Sequence, residues 1–239
     1  MSETSYLYTL YDIFIASKNY LYMVQGLWFS FLCTLIASCV GILLGVLFAL
    51  MQLSQFYPFK KSHKYANFNP LQKLSTIYVD LIRGTPAVVQ LMIMANIIFV
   101  GRLRNVPIIV IAALSFGINS GAYVAEIIRA GIQGLDKGQM EAARALGMPY
   151  KLAMQDIIIP QAIKKILPTL VSEFITLLKE TSIVGFIGGV DLLRSANIIT
   201  SLTYRGVEPL LAVGLIYLVL TIIFTKIMRR VEKKMRESD

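Results

Sequence analysis

The feature that most constrains this chain is a series of long apolar runs, at about 21–50, 84–100, 107–125, 166–187 and 209–228, separated by polar connections. A hydrocarbon core ~30 Å thick is crossed by roughly 20 residues of helix. Without water, every backbone N–H and C=O there must be satisfied within the segment, which a helix achieves. The runs therefore predict an all-α membrane protein with about five transmembrane helices. Composition agrees, because 56% apolar and 15% charged residues with a mean hydropathy of +0.66 leave more apolar surface than a soluble chain of 239 residues could bury. The first run follows the polar, aromatic-rich start Met1 to Lys18 and exceeds a signal-peptide core of about 7–15 residues, so it is expected to stay in the mature chain.

A net charge of +9 is compatible with nucleic-acid binding, but the placement of the cations points to the membrane instead. Lys60, Lys61, Lys64 and Lys73 fall in the first connection. Arg129, Lys137, Arg144, Lys151, Lys164 and Lys165 fall in or beside the third, and Lys226, Arg229, Arg230, Lys233, Lys234 and Arg236 fall in the tail. The intervening segments hold only Lys18, Arg102, Arg104, Arg194 and Arg205. The positive-inside rule then puts the N-terminus outside and the C-terminus in the cytoplasm, which needs an odd number of spans. Neither an internal repeat nor a linker divides the sequence, so 1–239 reads as one transmembrane domain.

Local signals add detail. Tyr6 to Ile15 suits a short interfacial helix on the outer leaflet. In the first run, Gly41 and Gly45 form a small-xxx-small pair that permits close helix approach, while Cys33 and Cys39 lie on roughly opposite helix faces and are expected to pack without a disulfide. Residues 54–73 form a polar loop holding His63, the sole histidine, which has no companion ligands for a metal. Gly84 and Pro86 predict a kinked entry to the second run, and 101–106 a short external loop before Pro107. The third connection, about 129–164, is neither disordered nor apolar enough to span. It predicts two short helices: one N-capped by Asp136 and stopped by Gly147 and Pro149, the other running from Lys151 to Ile159 and ended by Pro160.

That connection holds the most specific motif. EAARALGMPYKLAMQDIIIP at 141–160 resembles the cytoplasmic EAA loop of ABC importer permeases, with Glu141, Ala142, Ala143, Gly147, Ile157 and Pro160 at the family spacing. Ile159 stands where the family has Leu. LIRGTPAVVQ at 81–90, AYVAEIIRAGI at 122–132 and LLKETSIVGFIG at 177–188 are similar to stretches of the polar amino-acid branch, in the same order. The resemblance implies a type I ABC importer permease in the bacterial inner membrane. It further implies a partner ATPase coupled through Glu141, Ala142, Ala143 and Gly147, a second permease copy in a homodimer or else a sister subunit, and an extracytoplasmic amino-acid-binding protein. Physically, the alanines leave a narrow helix that can enter a groove, Glu141 offers a carboxylate to a basic partner, and Gly147 permits a sharp reversal.

No GxxxxGK[ST] phosphate loop is present, so ATP hydrolysis is expected on a partner chain, and no catalytic, metal or cofactor site is expected here. Polar residues at bilayer depth usually face a cavity or bundle interior. Ser115, Asn119, Tyr123 and Glu126 share one helix face at i, i+4, i+8 and i+11, and Glu173, Thr176 and Glu180 another at i, i+3 and i+7. Ser115, Asn119, Glu173 and Thr176 are the candidates for a substrate path. Glu173, about 12 Å along the helix from Lys165, either meets a substrate cation or pairs with Lys179 or Arg83. Arg83 either snorkels or attracts a substrate carboxylate. Thr181 to Gly189 reads as a bend at the outer mouth. The rival to an ATP-driven importer is an ion-gradient-driven secondary transporter of small polar solutes, which could share the intramembrane carboxylates but gives no reason for the EAA loop; an intramembrane enzyme would need a constellation such as HExxH, absent here.

Overall fold

A computed structural model describes residues 3–58, 67–101 and 105–236. His63, Lys60, Lys61 and Lys64 of the first connection, and Arg102 and Arg104 of the external loop, lie outside the described residues. Among the described residues the chain is helical and carries no strand.

Among the described residues the helices run in chain order: α1 (Glu3–Tyr11), α2 (Tyr20–Leu53), α3 (Pro70–Arg83), α4 (Ala87–Ile93), α5 (Ile108–Gln133), α6 (Lys137–Ala145), α7 (Tyr150–Ala153), α8 (Ile159–Glu180), α9 (Leu192–Thr203) and α10 (Val207–Arg236). Wide π-type turns extend α1, α4 and α7 over Asp12–Ala16, Met94–Ile98 and Met154–Ile158, and a 3₁₀ segment, Thr181–Ile187, follows α8. By length and composition α2, α5 and α10 can each cross a membrane, and α3 with α4 and its extension can do so as a bent pair. At 34 residues α2 is about 51 Å long, so it must tilt or project beyond a ~30 Å core. The bend between α3 and α4 falls at Gly84 to Pro86, as the glycine and proline imply, and the Thr85 hydroxyl donates to the freed Leu81 carbonyl at 3.0 Å.

The apolar run 166–187 does not continue as one helix: α8 ends at Glu180, and the tighter 3₁₀ segment Thr181–Ile187 with left-handed Gly188 makes the bend expected over Thr181 to Gly189. A correction concerns Pro160. It does not end a helix at the membrane surface but sits in the first turn of α8, where a missing N–H costs nothing, and the wide turn Met154–Ile158 absorbs the change of pitch.

Two compact units divide the contacts. One comprises Met1–Ala37, Ala87–Phe116 and Ile175–Thr225. Its packing centres are Phe116 with Leu91, Ala112, Ala113, Cys33 and Leu177, and Leu192 with Ala196, Ile199, Val213 and Met23. Here Gly26 lets α2 lie against the backbone of Asp191, whose carbonyl oxygen would stand 2.6 Å from any Cβ at that position. The other unit comprises Ser38–Pro86, Gly117–Phe174 and Lys226–Asp239. Within it Ala49, Val79, Ala122 and Ala125 form a core of small residues, and the Phe48 and Tyr78 rings stack at 3.9 Å between centroids. Gly41 and Gly45 make the close approach expected of them: a Cβ on Gly41 would lie 3.0 Å from Ser120 Cβ, and one on Gly45 2.5 Å from Val124 Cβ. Tyr78 adds a 2.6 Å bond from its hydroxyl to the Ile118 carbonyl, and Ser75 one of 2.8 Å to Phe48 O. Cys33 and Cys39 are both free thiols, one buried and one exposed.

Candidate functional site

The EAA segment folds into a knob. Asp136, in extended conformation, accepts the Gly138 N–H at 2.9 Å and starts α6. The helix ends by a Schellman arrangement in which Met148 N–H donates to Ala143 O at 3.1 Å and Gly147 N–H to Arg144 O at 3.1 Å. That closure requires a left-handed residue, and Gly147 supplies it at φ +87° with no atom near its missing side chain. Arg144 completes the turn by donating to Met148 O at 2.9 Å.

Of the four candidate coupling residues, Ala143 turns inward and is buried, while Glu141, Ala142 and Gly147 are exposed. Leu146, next to the reversal, is 85% exposed, and Tyr150 and Leu152 of α7 are also exposed. Two braces that no periodicity indicated hold the knob's base: the Gln161 amide donates to Gln139 Oε1, and Lys165 Nζ donates to Gly134 O at 3.1 Å. Gly131 brings α5 so close to α8 that a Cβ would overlap the Ile166 side chain.

The polar stripe of α5 is present as a helix face. Ser115 and Asn119 are buried, Tyr123 is partly buried, and Glu126 pairs with Arg129 one turn on at 2.5 Å. Arg129 also reaches Gln133. Glu173 is half-buried and its Oε1 accepts the Ser120 hydroxyl at 2.9 Å. It pairs with neither Lys179 nor Arg83, whose guanidinium carbon lies 5.3 Å from the Tyr123 ring centroid. Arg83 and Tyr123, 40 positions apart in sequence, also join two motif stretches, 81–90 and 122–132. Ser115 and Thr176 belong to the first unit and Asn119 and Glu173 to the second, and Thr176 is exposed on α8. Sequence reasoning missed Ser120, which sits one residue off the stripe's phase, and Asp191, an isolated acid in an apolar stretch.

Asp191 organises the bend after α8. Fully buried, its carboxylate accepts Leu193 N–H at 2.7 Å, Arg194 N–H at 3.0 Å and, from the 3₁₀ segment, Gly185 N–H at 2.8 Å. Gly188, at φ +87°, reverses the chain between them, and the Ser30 hydroxyl accepts Leu192 N–H at 3.2 Å.

Among the described residues, three helices long and apolar enough to cross a membrane, a bent pair able to form a fourth span and an exposed helical knob describe a multi-pass membrane protein. The profile of the family described as the inner membrane component of binding-protein-dependent transport systems matches residues 64–237. The chain belongs to that family and is an ABC transport permease of the bacterial inner membrane. It is 39% identical over 222 residues to the arginine transport system permease protein ArtQ of Bacillus subtilis (strain 168), covering 91% of this chain and 94% of that one. To a putative glutamine transport system permease protein, GlnP, of Rickettsia bellii (strain RML369-C), it is 37% identical over 221 residues, with 92% and 95% covered. Among solved structures it matches a crystal structure of an amino acid ABC transporter with histidines at 42% identity and a TM-score of 0.80, over 92% and 96% of the two chains. A methionine ABC transporter, MetNI, in an inward-facing conformation shares the fold at a TM-score of 0.69 with 17% identity, over 98% and 99%. Membership in this family decides against the ion-gradient alternative.

Proposed function

We propose that this chain is the permease of an importer of polar amino acids. It acts as a single transmembrane domain over 1–239, with about five spans, its N-terminus outside and its C-terminus in the cytoplasm. Two copies pair, each resting on an ATPase subunit that carries out the hydrolysis, and an extracytoplasmic binding protein delivers the amino acid. Glu141, Ala142, Ala143 and Gly147 build the coupling knob. Closure of the ATPases on ATP pulls on α6 and rocks the spanning helices, and substrate passes along Ser115, Asn119, Glu173 and Thr176. In that path the Glu173 carboxylate, oriented by Ser120, meets a substrate cation, and the buried amide of Asn119 offers both a donor and an acceptor. The relatives' names, for arginine and glutamine transport, support an amino acid as cargo.

The observation that carries this reading is the knob itself: a capped helix, braced at its base, whose exposed side chains end in an 85% exposed leucine at a left-handed glycine. The test is co-purification of the tagged permease with its ATPase, comparing wild type with Glu141→Ala plus Gly147→Asp. The ATPase is expected to accompany wild type and to be lost from the double variant while the permease stays folded. Failure of the ATPase to bind either form would overturn the coupling role.

A further inference from the structure

Between the 3₁₀ segment Thr181–Ile187 and α9 lies a cleft of about 190 Å³ lined by Ser182, Gly185, Phe186, Leu193, Arg194 and Asn197. It has the share of about six waters, room for the head group of an amino acid. Resting on the importer reading above, we propose that this cleft is a subsite for the zwitterionic head group of the amino acid in transit, on the outer side of the path, with Arg194 taking its carboxylate.

The residues argue for it as follows. One face of α9 is buried through Leu192, Ser195, Ala196 and Ile199. The opposite face carries Arg194, Asn197 and Ser201 at i, i+3 and i+7, a polar stripe on a short helix that otherwise packs like a core element. Among the described residues Arg194 makes no ion pair, and neither the Ser182 hydroxyl nor the Asn197 side-chain amide has a protein partner. The other outer cation of this region, Arg205, is already matched to Glu208 at 3.2 Å. Arg194 is exposed at the cleft, so its guanidinium is open to a ligand there.

The backbone amides at the start of α9 are not the anion site, because Asp191 has taken those of Leu193 and Arg194. The same carboxylate ties Gly185 to α9 and so fixes the width of the cleft. What remains free is complementary to both ends of an amino acid: a planar two-donor fork for a carboxylate, and the Ser182 and Asn197 oxygens for an ammonium. A carboxylate side chain of a docking protein would use the first and leave the second unmatched. Phe186, 70% exposed at the rim, supplies an apolar wall for the carbon skeleton.

The experiment uses the whole complex, permease with its ATPase and binding protein, in proteoliposomes. Uptake of labelled L-arginine and L-glutamine is measured together with ATP hydrolysis and the affinity of the complex for loaded binding protein. Arg194→Gln is expected to lower uptake about 10-fold or more, the loss typical of a charged hydrogen bond, while binding-protein affinity stays within about two-fold. Arg194→Lys, which keeps the charge without the fork, falls between. Ser182→Ala and Asn197→Ala, mild enough to fold, each lower uptake several-fold. Unchanged uptake in Arg194→Gln with active wild type overturns the subsite alone. Loss of uptake in step with loss of binding-protein affinity also overturns it, assigning the cleft to a docked acidic side chain. Wild type that takes up no amino acid overturns the importer reading from which the subsite follows.

Discussion

Gly45→Ala tests whether the crossing of α2 and α5 in the second unit is as tight as the structure has it. A Cβ at Gly45 would stand 2.5 Å from Val124 Cβ and 3.1 Å from the Ala125 backbone nitrogen. The side chain could shift, but the backbone cannot move without opening the helix crossing. Overpacking of this kind costs about 1–3 kcal/mol. Alanine recovers about 1 kcal/mol of helix propensity, which leaves up to about 2 kcal/mol of net destabilisation. For a chain of this size that lowers Tm by up to about 8 °C. Gly214→Ala is the matched control: it adds the same methyl to α10 where nothing lies within 4 Å, so it gains propensity without overlap. The assay is thermal unfolding of both purified variants in the same detergent. Equal Tm values for the two glycine variants would refute the reasoning.

Two further outcomes follow from the same geometry. Asp191→Leu leaves three buried amides without an acceptor and should destabilise the protein by several kcal/mol at ~1–3 each; Asp191→Asn, which keeps an acceptor oxygen, should cost clearly less in the same melt, and equal losses would deny the carboxylate its capping role. Glu173→Gln preserves the Ser120 hydrogen bond while removing the charge, so folding should survive, and uptake of a cationic amino acid should fall relative to a neutral one in paired transport assays. Unchanged selectivity would leave Glu173 a structural residue.

Much of this protein could be read from its residues in order. The apolar runs, the capping aspartate at 136, the left-handed glycine at 147 and the glycine pair at 41 and 45 act through local or single-helix physics: the length a bilayer demands, an orphan amide that needs an acceptor, a φ that a Cβ resists, a surface flat enough for another helix. The family motif added the role of the segment they frame. The glycines and hydroxyl residues of Thr181 to Gly189 also gave the end of α8, whereas Pro160 looked like a stop although a first-turn proline serves equally well.

What the sequence determined by itself is therefore the membrane class, the long apolar helices and the capped, glycine-ended helix α6, since each depends on neighbours within a few turns; α9 left no such signal. Only the tertiary structure decided which groups meet across long separations: Ser120 with Glu173, Tyr78 with Ile118, Asp191 with Gly185 across a reversal, and Arg83 with the face of Tyr123. Those pairings depend on how helices cross and at what rotation. A hydroxyl beside a carboxylate leaves no periodic trace in the chain, so the physics that selects it acts only once the helices have packed.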